Sequence, residues 1–474
     1  MTQEKRTGPY PYKDEFGAIH EFPTESWTNA EVLRQLNIMA EDEDTFWRTG
    51  KCSGTMYGGD SKIFELIGQS FQLYSHVNVL QRDMCPSQTR MESEIIALTL
   101  DMLNGQAVNE RDSDMSACGV INSGGTESII SALLAHRDKF KAEHNITEPE
   151  MILPDTAHPA FHKGAHYFGI KVVLAPVDPV TTQVDLDFVA ANINKNTILL
   201  VGSAGNYPYG TIDPIEQLSN LAVKHKIGLH VDGCLGGFIL PWGQRLGYDI
   251  PVFDFRLPGV TSISADTHKY GYGPKGTSIT AYCDKSYRKY QYFTSPDWKG
   301  GIYASPGIGG SRSGGLIAAT WAVMLTIGKE GYLARAKKIF DTAYAMQDVV
   351  KSIPELKLMG SPSFCFSFTS DEFDIYHVND YMRDQGWRFN GQQYPSAIHM
   401  CVTGPQTQPG LLEKFEKELK EAVLYAKNPT QPMAETGALY GGAGTRALAE
   451  NVDQKAIAEM MIMYQDACLE QPRD

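Results

Sequence analysis

The sequence has no apolar run near the roughly 20 residues that a membrane-crossing helix needs; its longest, such as residues 318–327, reach about half that length. The first twelve residues are charged and proline-containing and lack the apolar centre of a secretory signal. Cations are in deficit: 42 Lys and Arg against 56 Asp and Glu give a net charge of -14, which repels nucleic-acid phosphates and argues against a nucleic-acid partner. The eight cysteines (Cys52, Cys85, Cys118, Cys234, Cys283, Cys365, Cys401, Cys468) are scattered without a C-x-x-C pair, so neither a zinc knuckle nor a disulfide framework is indicated and no metal is expected. Internal repeats and low-complexity tracts are missing as well. The expectation is a soluble protein of a reducing cytoplasm without a transmembrane segment; secretion into a host cell and contact with a membrane surface stay open.

What is present is globular in composition, with a hydrophobic share of 42% and a charged share of 21%. At 474 residues the chain exceeds what one simple core organises, so a large domain with a smaller one beside it is expected. Residues 1–70 read as an N-terminal arm and helical segment, with a helix near residues 29–46. Such an arm buries little of itself, which points to packing across an oligomer contact. Residues 71–330 read as a large α/β domain. Met91, Ile95, Leu98 and Met102 recur at helical spacing, and short apolar runs follow at residues 118–121, 151–153, 172–175, 198–201, 228–231, 261–264 and 278–282. Helix-like or turn-rich segments lie between most of them, the signature of a mainly parallel sheet covered by helices. Residues 331–474 read as a small α+β C-terminal domain, with a charged helix near 332–353, alternating strands within 356–369 and 397–403, and an amphipathic helix at 411–426.

Four segments at strand ends could carry chemistry. Asn122-Ser123-Gly124-Gly125-Thr126-Glu127-Ser128 joins a predicted strand to a helix over residues 129–139. Its glycines admit close approach of an anion to backbone N–H groups, Thr126 and Ser128 offer hydroxyls, and the helix N-terminus adds positive potential; taken alone, such a turn is more often a simple cap. In His230-Val231-Asp232-Gly233 the Asp232 carboxylate would emerge at the C-terminal edge of a strand, where ligands of open α/β sheets collect. There it could pair with a protonated pyridine nitrogen, and capping a turn is an equal alternative. Ser264-Ala265-Asp266-Thr267-His268-Lys269-Tyr270-Gly271 follows another strand, and the Lys269 ε-amine could condense with an aldehyde if burial and nearby cations lower its pKa. His-Lys also occurs at His162-Lys163 and His225-Lys226, so the dipeptide alone says little. Lys269 is set apart by following Asp232 by 37 residues and by the glycine-rich run Gly271-Tyr272-Gly273-Pro274-Lys275-Gly276 beside it. His158, in Asp155-Thr156-Ala157-His158-Pro159, could stack on a flat heteroaromatic ring, though a lone histidine is usually a surface or core residue. Together at one sheet edge, a phosphate cradle, a ring stacker, a pyridine partner and a condensing lysine are the four fixtures that pyridoxal 5′-phosphate needs.

In the order Gly125-Thr126, His158, His230-Val231-Asp232, His268-Lys269, the chain resembles the pyridoxal phosphate-dependent decarboxylase superfamily of the aspartate-aminotransferase fold, fold type I, over most of its length. Within it, Ser53-Gly54-Thr55-Met56-Tyr57, His268-Lys269-Tyr270-Gly271 and Gly437-Ala438-Leu439-Tyr440-Gly441 look like the sphingosine-1-phosphate lyase family, in its soluble bacterial form. The resemblance implies a homodimer with shared active sites, in which Ser311 of Gly309-Gly310-Ser311-Arg312 reaches the cofactor phosphate of the second subunit and His268 helps from its own. It implies that Tyr57 and Lys275 hold a substrate phosphate, that Asn78 lies near the substrate's polar head, and that Tyr207 and Tyr440 sit by the reacting carbons. One departure stands out: Asn78-Val79-Leu80-Gln81 occupies the place where the family usually shows Asn-Pro-Leu-His. Gln81 donates a hydrogen bond without a charge and would hold a dianion less strongly than a protonated imidazole, with Arg82 as a nearby cation that could compensate.

The resemblance further implies a retro-aldol carbon–carbon cleavage of phosphorylated long-chain bases, giving a long-chain aldehyde and phosphoethanolamine. Lys269 would be essential, and Tyr207, Tyr440 and Lys275 are unranked candidates for proton handling. An amino-acid decarboxylase acting on glutamate, tyrosine or a related substrate is the nearest rival on this scaffold. A non-catalytic binding protein that retains the scaffold is a more distant one.

Overall fold

The computed structural model describes residues 10–438, 444–445 and 454–470. Its centre is a seven-stranded sheet of β1 Cys118–Asn122, β2 Glu150–Pro154, β3 Lys171–Ala175, β4 Thr197–Ser203, β5 Gly228–Gly233, β6 Ser262–Ala265 and β7 Ser278–Tyr282. The strand order is β1-β7-β6-β5-β4-β2-β3. Strands β2 to β6 are mutually parallel where they pair, whereas β7 runs antiparallel to both of its neighbours, β6 and β1. The expected mainly parallel sheet is therefore present with one reversed strand. The cause is the link at residues 266–277, which holds no helix to carry the chain back across a face, so β7 returns beside β6 in the opposite direction. Every residue of β1, β2 and β4 to β7 is buried, as expected for strands covered on both faces, while edge strand β3 is largely open.

The helix after β1 spans Gly125–His144, four residues ahead of the predicted start, so Gly125 and Thr126 belong to its first turn. Further on, the helical stretch Gly314–Lys351 is two helices meeting at Gly328, whose φ of 58° is open to a residue without a Cβ. The second helix leads to a four-stranded antiparallel sheet, in spatial order Lys357–Leu358, Cys365–Thr369, Ala397–Cys401, Asn390–Gln392. Helices Ile375–Asp384 and Leu411–Lys427 accompany it. This smaller sheet grips the turn after β4: Ser367 and Gln392 both donate to the Pro208 carbonyl. A side chain at Gly210 in that turn would meet the Cys365 carbonyl oxygen at 1.9 Å, so only glycine lets the two sheets approach this closely.

Helix Asn29–Arg48 starts at a capping box in which the Glu31 amide donates to Thr28 Oγ1 and the Thr28 amide to the Glu31 carboxylate. None of its residues is buried, and Leu33, Leu36 and Phe46 stand exposed along it. Among the described residues, no helix is long and apolar enough to cross a membrane.

Candidate active site

Asp232 lies near the C-terminal end of β5, in register with Ser203 of β4 and Ser264 of β6. The carboxylate is buried, and its Oδ1 accepts from the Cys234 amide at 3.0 Å and from Ser264 Oγ at 3.2 Å.

Lys269 follows β6 in a tight turn. Its ammonium meets Asp266 Oδ2 at 2.8 Å; the lysine side chain is 24% exposed and the carboxylate 2%. Ser278 Oγ on β7 donates to Asp266 Oδ1 at 2.6 Å, and His268 Nε2 stands 3.7 Å from Oδ2. Burial alone would lower the lysine pKa, but the attraction of Asp266 outweighs it and holds Lys269 well above the ordinary range. The expected lowering of the Lys269 pKa is thereby corrected: the nearest charge is an anion, not a cation. Burial pushes the Asp266 carboxyl up, while Lys269 and His268 pull harder the other way, leaving it below its usual value.

The other strand-end groups converge here. His158 precedes helix Ala160–Phe168, and its Nδ1 accepts from the Ala160 amide at 3.1 Å. Burial lowers its pKa, with Asp232, Lys269 and Asp266 acting on it through space, so the imidazole sits among all three. His268 Nδ1 lies 2.6 Å from the Thr277 carbonyl oxygen, which can only accept, so this nitrogen carries a proton; burial lowers the pKa of the ring. The start of helix Gly125–His144 abuts Asp266: a Cβ on Gly125 would lie 2.7 Å from its Oδ2.

A cavity of about 240 Å³ opens onto Lys269 and is lined by Tyr57, His268, Tyr272, Lys275 and Arg335 among others. Lys275 Nζ lies 4.8 Å from the Tyr57 ring centroid and donates to the His268 carbonyl at 3.3 Å. Burial first, and the charge of Lys269 second, lower the Lys275 pKa to about 8. Tyr57 in turn packs edge-on against Tyr270, centroids 4.9 Å apart.

The remaining expected site residues are placed elsewhere. Asn78 Nδ2 donates to Ser311 Oγ at 3.0 Å, and Ser311 lines a second cavity, of about 530 Å³, together with Thr126. Gln81 is exposed beside them. The guanidinium of Arg82 is turned to Glu92, at 2.7 Å, and to Thr89, at 3.0 Å. Tyr207 sits in the turn after β4, its ring 4.3 Å from that of His399. Tyr440 lies outside the described residues. Sequence reasoning singled out neither Asp266 nor His399. An acid three residues before the lysine was a readable signal for the first; nothing marked the second.

These residues suit pyridoxal 5′-phosphate in kind and in place. The N-terminus of helix Gly125–His144 with Thr126 offers an anion site, Asp232 a buried carboxylate with amide and hydroxyl donors, His158 a flat ring, and Lys269 an amine, all along the C-terminal edge of one sheet. Fold and donor set together define a pyridoxal phosphate-dependent enzyme of fold type I. Residues 43–367 match the model of the pyridoxal-dependent decarboxylase conserved domain. Sphingosine-1-phosphate lyase 1 of Rattus norvegicus is 40% identical over 452 residues, covering 95% of this chain and 77% of that protein. The solved structure of the Burkholderia pseudomallei K96243 sphingosine-1-phosphate lyase superposes with a TM-score of 0.92 at 55% identity, over 98% of this chain and 100% of that one. The glutamate decarboxylase of Lactobacillus brevis shares the fold alone, with a TM-score of 0.72 at 18% identity over 86% of this chain and 95% of that one. The chain belongs to the sphingosine-1-phosphate lyase family of pyridoxal phosphate-dependent enzymes.

Proposed function

We propose that this chain cleaves phosphorylated long-chain bases such as sphingosine-1-phosphate by a retro-aldol reaction, giving a long-chain aldehyde and phosphoethanolamine. The observation that carries the reading is the second lysine on the Lys269 cavity. Lys275, with a pKa of about 8, is mostly cationic at neutral pH and shares that cavity with Tyr57, which suits a phosphate monoester. The two sphingosine-1-phosphate lyases named above support the same substrate class.

Lys269, Asp232 and His158 would hold the cofactor, which when bound would supply a sink for the electron pair left when the carbon–carbon bond breaks. Lys275 and Tyr57 hold the phosphate and so fix the position of the substrate's hydroxyl-bearing carbon. A base removes the hydroxyl proton as that bond opens to the aldehyde, and an acid returns a proton to the amine-bearing carbon. Tyr207, Tyr440 and Lys275 are the candidates for these two transfers, each worth about 10² to 10⁴-fold in rate.

The reading includes a homodimer with shared active sites, in which Ser311 reaches the cofactor phosphate of the second subunit and Asn78 lies near the substrate's polar head. Its support is that helix Asn29–Arg48 leaves apolar residues uncovered. It also includes a soluble cytoplasmic location and three parts with boundaries near residues 70 and 330. The test is incubation with sphingosine-1-phosphate and mass detection of phosphoethanolamine and hexadecenal, with the oligomeric state read by sedimentation. Carbon dioxide released from glutamate or tyrosine, with the phosphorylated base left intact, would replace this reading by the decarboxylase.

A further inference from the structure

We propose that Asp266 is the counter-ion of the condensing lysine: it holds the Lys269 ammonium whenever the ε-nitrogen is not bonded to the cofactor, and so favours release of that nitrogen when an incoming amine takes its place. The pair is internal, 2.8 Å long, with the carboxylate almost fully covered and its other oxygen fixed by Ser278. An exposed pair of this kind would contribute little, whereas a buried carboxylate without its cation is strongly disfavoured. The charge is held from several sides. Lys269 and His268 come from the same turn, and Lys275 follows it. His158 acts from beyond β2, Cys234 from beyond β5, and Tyr57 faces the lysine from the N-terminal segment.

The exchange balances without a further reagent. An amine substrate arrives as its ammonium and sheds one proton before its nitrogen bonds to the cofactor carbon. As the carbon–nitrogen bond to Lys269 breaks, the departing ε-nitrogen takes one proton from the incoming nitrogen and regains the one that the substrate shed, and so leaves as ammonium. Net charge is unchanged, and the new cation is formed within reach of Asp266. The proposal holds whichever amine is the substrate, so failure of the lyase reading leaves it standing.

The test starts from apoenzyme, trace-labelled with acetic anhydride across a pH series, with Lys269 followed by peptide mass mapping. In the wild type its labelling rate should rise through an apparent pKa above that of the exposed lysines. In Asp266→Asn, burial acts unopposed and the apparent pKa should drop below theirs, labelling at pH 8 becoming about tenfold faster for each unit of the fall. Absorbance then supplies a two-sided readout that structural damage would not mimic. Asp266→Asn should capture added pyridoxal 5′-phosphate faster and give up the lysine linkage to added phosphoethanolamine more slowly. A wild-type apparent pKa at or below that of exposed lysines overturns the proposal, as does a variant that slows capture and release alike. If Asp266→Asn does not fold, the wild-type profile decides alone.

Discussion

The ring of His399 lies 4.3 Å from that of Tyr207, tilted by 31°, joining the strand Ala397–Cys401 of the smaller sheet to the turn that follows β4. His399 is fully buried, and among the described residues neither ring nitrogen has a hydrogen-bond partner. Burial lowers its pKa to about 3, so it is neutral at any working pH and offers Tyr207 a flat face rather than a proton. The smaller sheet therefore helps to set where Tyr207, a candidate for proton transfer, points.

A phenyl ring offers the same face. His399→Phe should retain kcat within about threefold, whereas His399→Ala frees the Tyr207 ring and should lower kcat by about tenfold or more at nearly unchanged KM, since small misplacements of reacting groups are costly. Steady-state kinetics on the two variants checks this, and a Phe variant as damaged as the Ala variant would refute the stacking role.

Gly125 marks how tightly the anion turn is built. A methyl group there would lie 2.7 Å from Asp266 Oδ2 and 3.0 Å from Cys234 Sγ, and Asp266 is already fixed by Lys269 and Ser278. Overpacking of this kind typically costs about 1–3 kcal/mol. Gly125→Ala should lower the melting temperature by several degrees and weaken pyridoxal 5′-phosphate binding at least about tenfold. Gly68, in helix Ser61–Tyr74, has open space where its Cβ would stand, so Gly68→Ala should leave both unchanged or slightly raise stability. Thermal melts and an absorbance titration separate the two.

How far the sequence could be read depended on whether a feature is local. Residues 278–282 form β7 at the bounds predicted, because a short buried strand shows as an unbroken apolar run. Asp232 was legible because it directly follows such a run, and His158 and Lys269 because each comes five residues after one. The antiparallel sense of β7 was not, since pairing direction belongs to the whole sheet. Strand Asn390–Gln392, only three residues long, carries too little pattern to be seen. His399 illustrates the remainder: its partner Tyr207 lies on the other sheet, 192 residues away in sequence, and only the docking of the two sheets brings the rings together. Asp266, by contrast, is a local feature, an acid three residues before Lys269.

Removing Lys269 should do more than stop turnover. Lys269→Ala takes away the point of attachment of the cofactor and leaves Asp266 buried without its cation, a loss of about 3–5 kcal/mol for a buried pair. Lys269→Ala/Asp266→Asn removes the stranded charge and should recover much of that stability while remaining inactive. Urea unfolding of both apoenzymes checks the difference; equal midpoints would show that the carboxylate is not stranded.

Lys275 would make the proposed phosphate site sensitive to pH. With a pKa of about 8, its amine is mostly protonated at pH 7 and mostly neutral at pH 9. Since kcat/KM reports the free enzyme, a phosphate-holding Lys275 should make kcat/KM fall as pH rises through about 8, by up to tenfold per unit until other contacts dominate. The sign reverses if Lys275 is the base that removes the hydroxyl proton: activity would then rise through the same value. Lys275→Arg separates the two roles, because a guanidinium stays charged throughout this range. It should flatten the profile between pH 7 and 9 while retaining a measurable share of the rate. A profile that rises through pH 8 in the wild type and collapses in the Arg variant would assign Lys275 to proton transfer instead of phosphate binding.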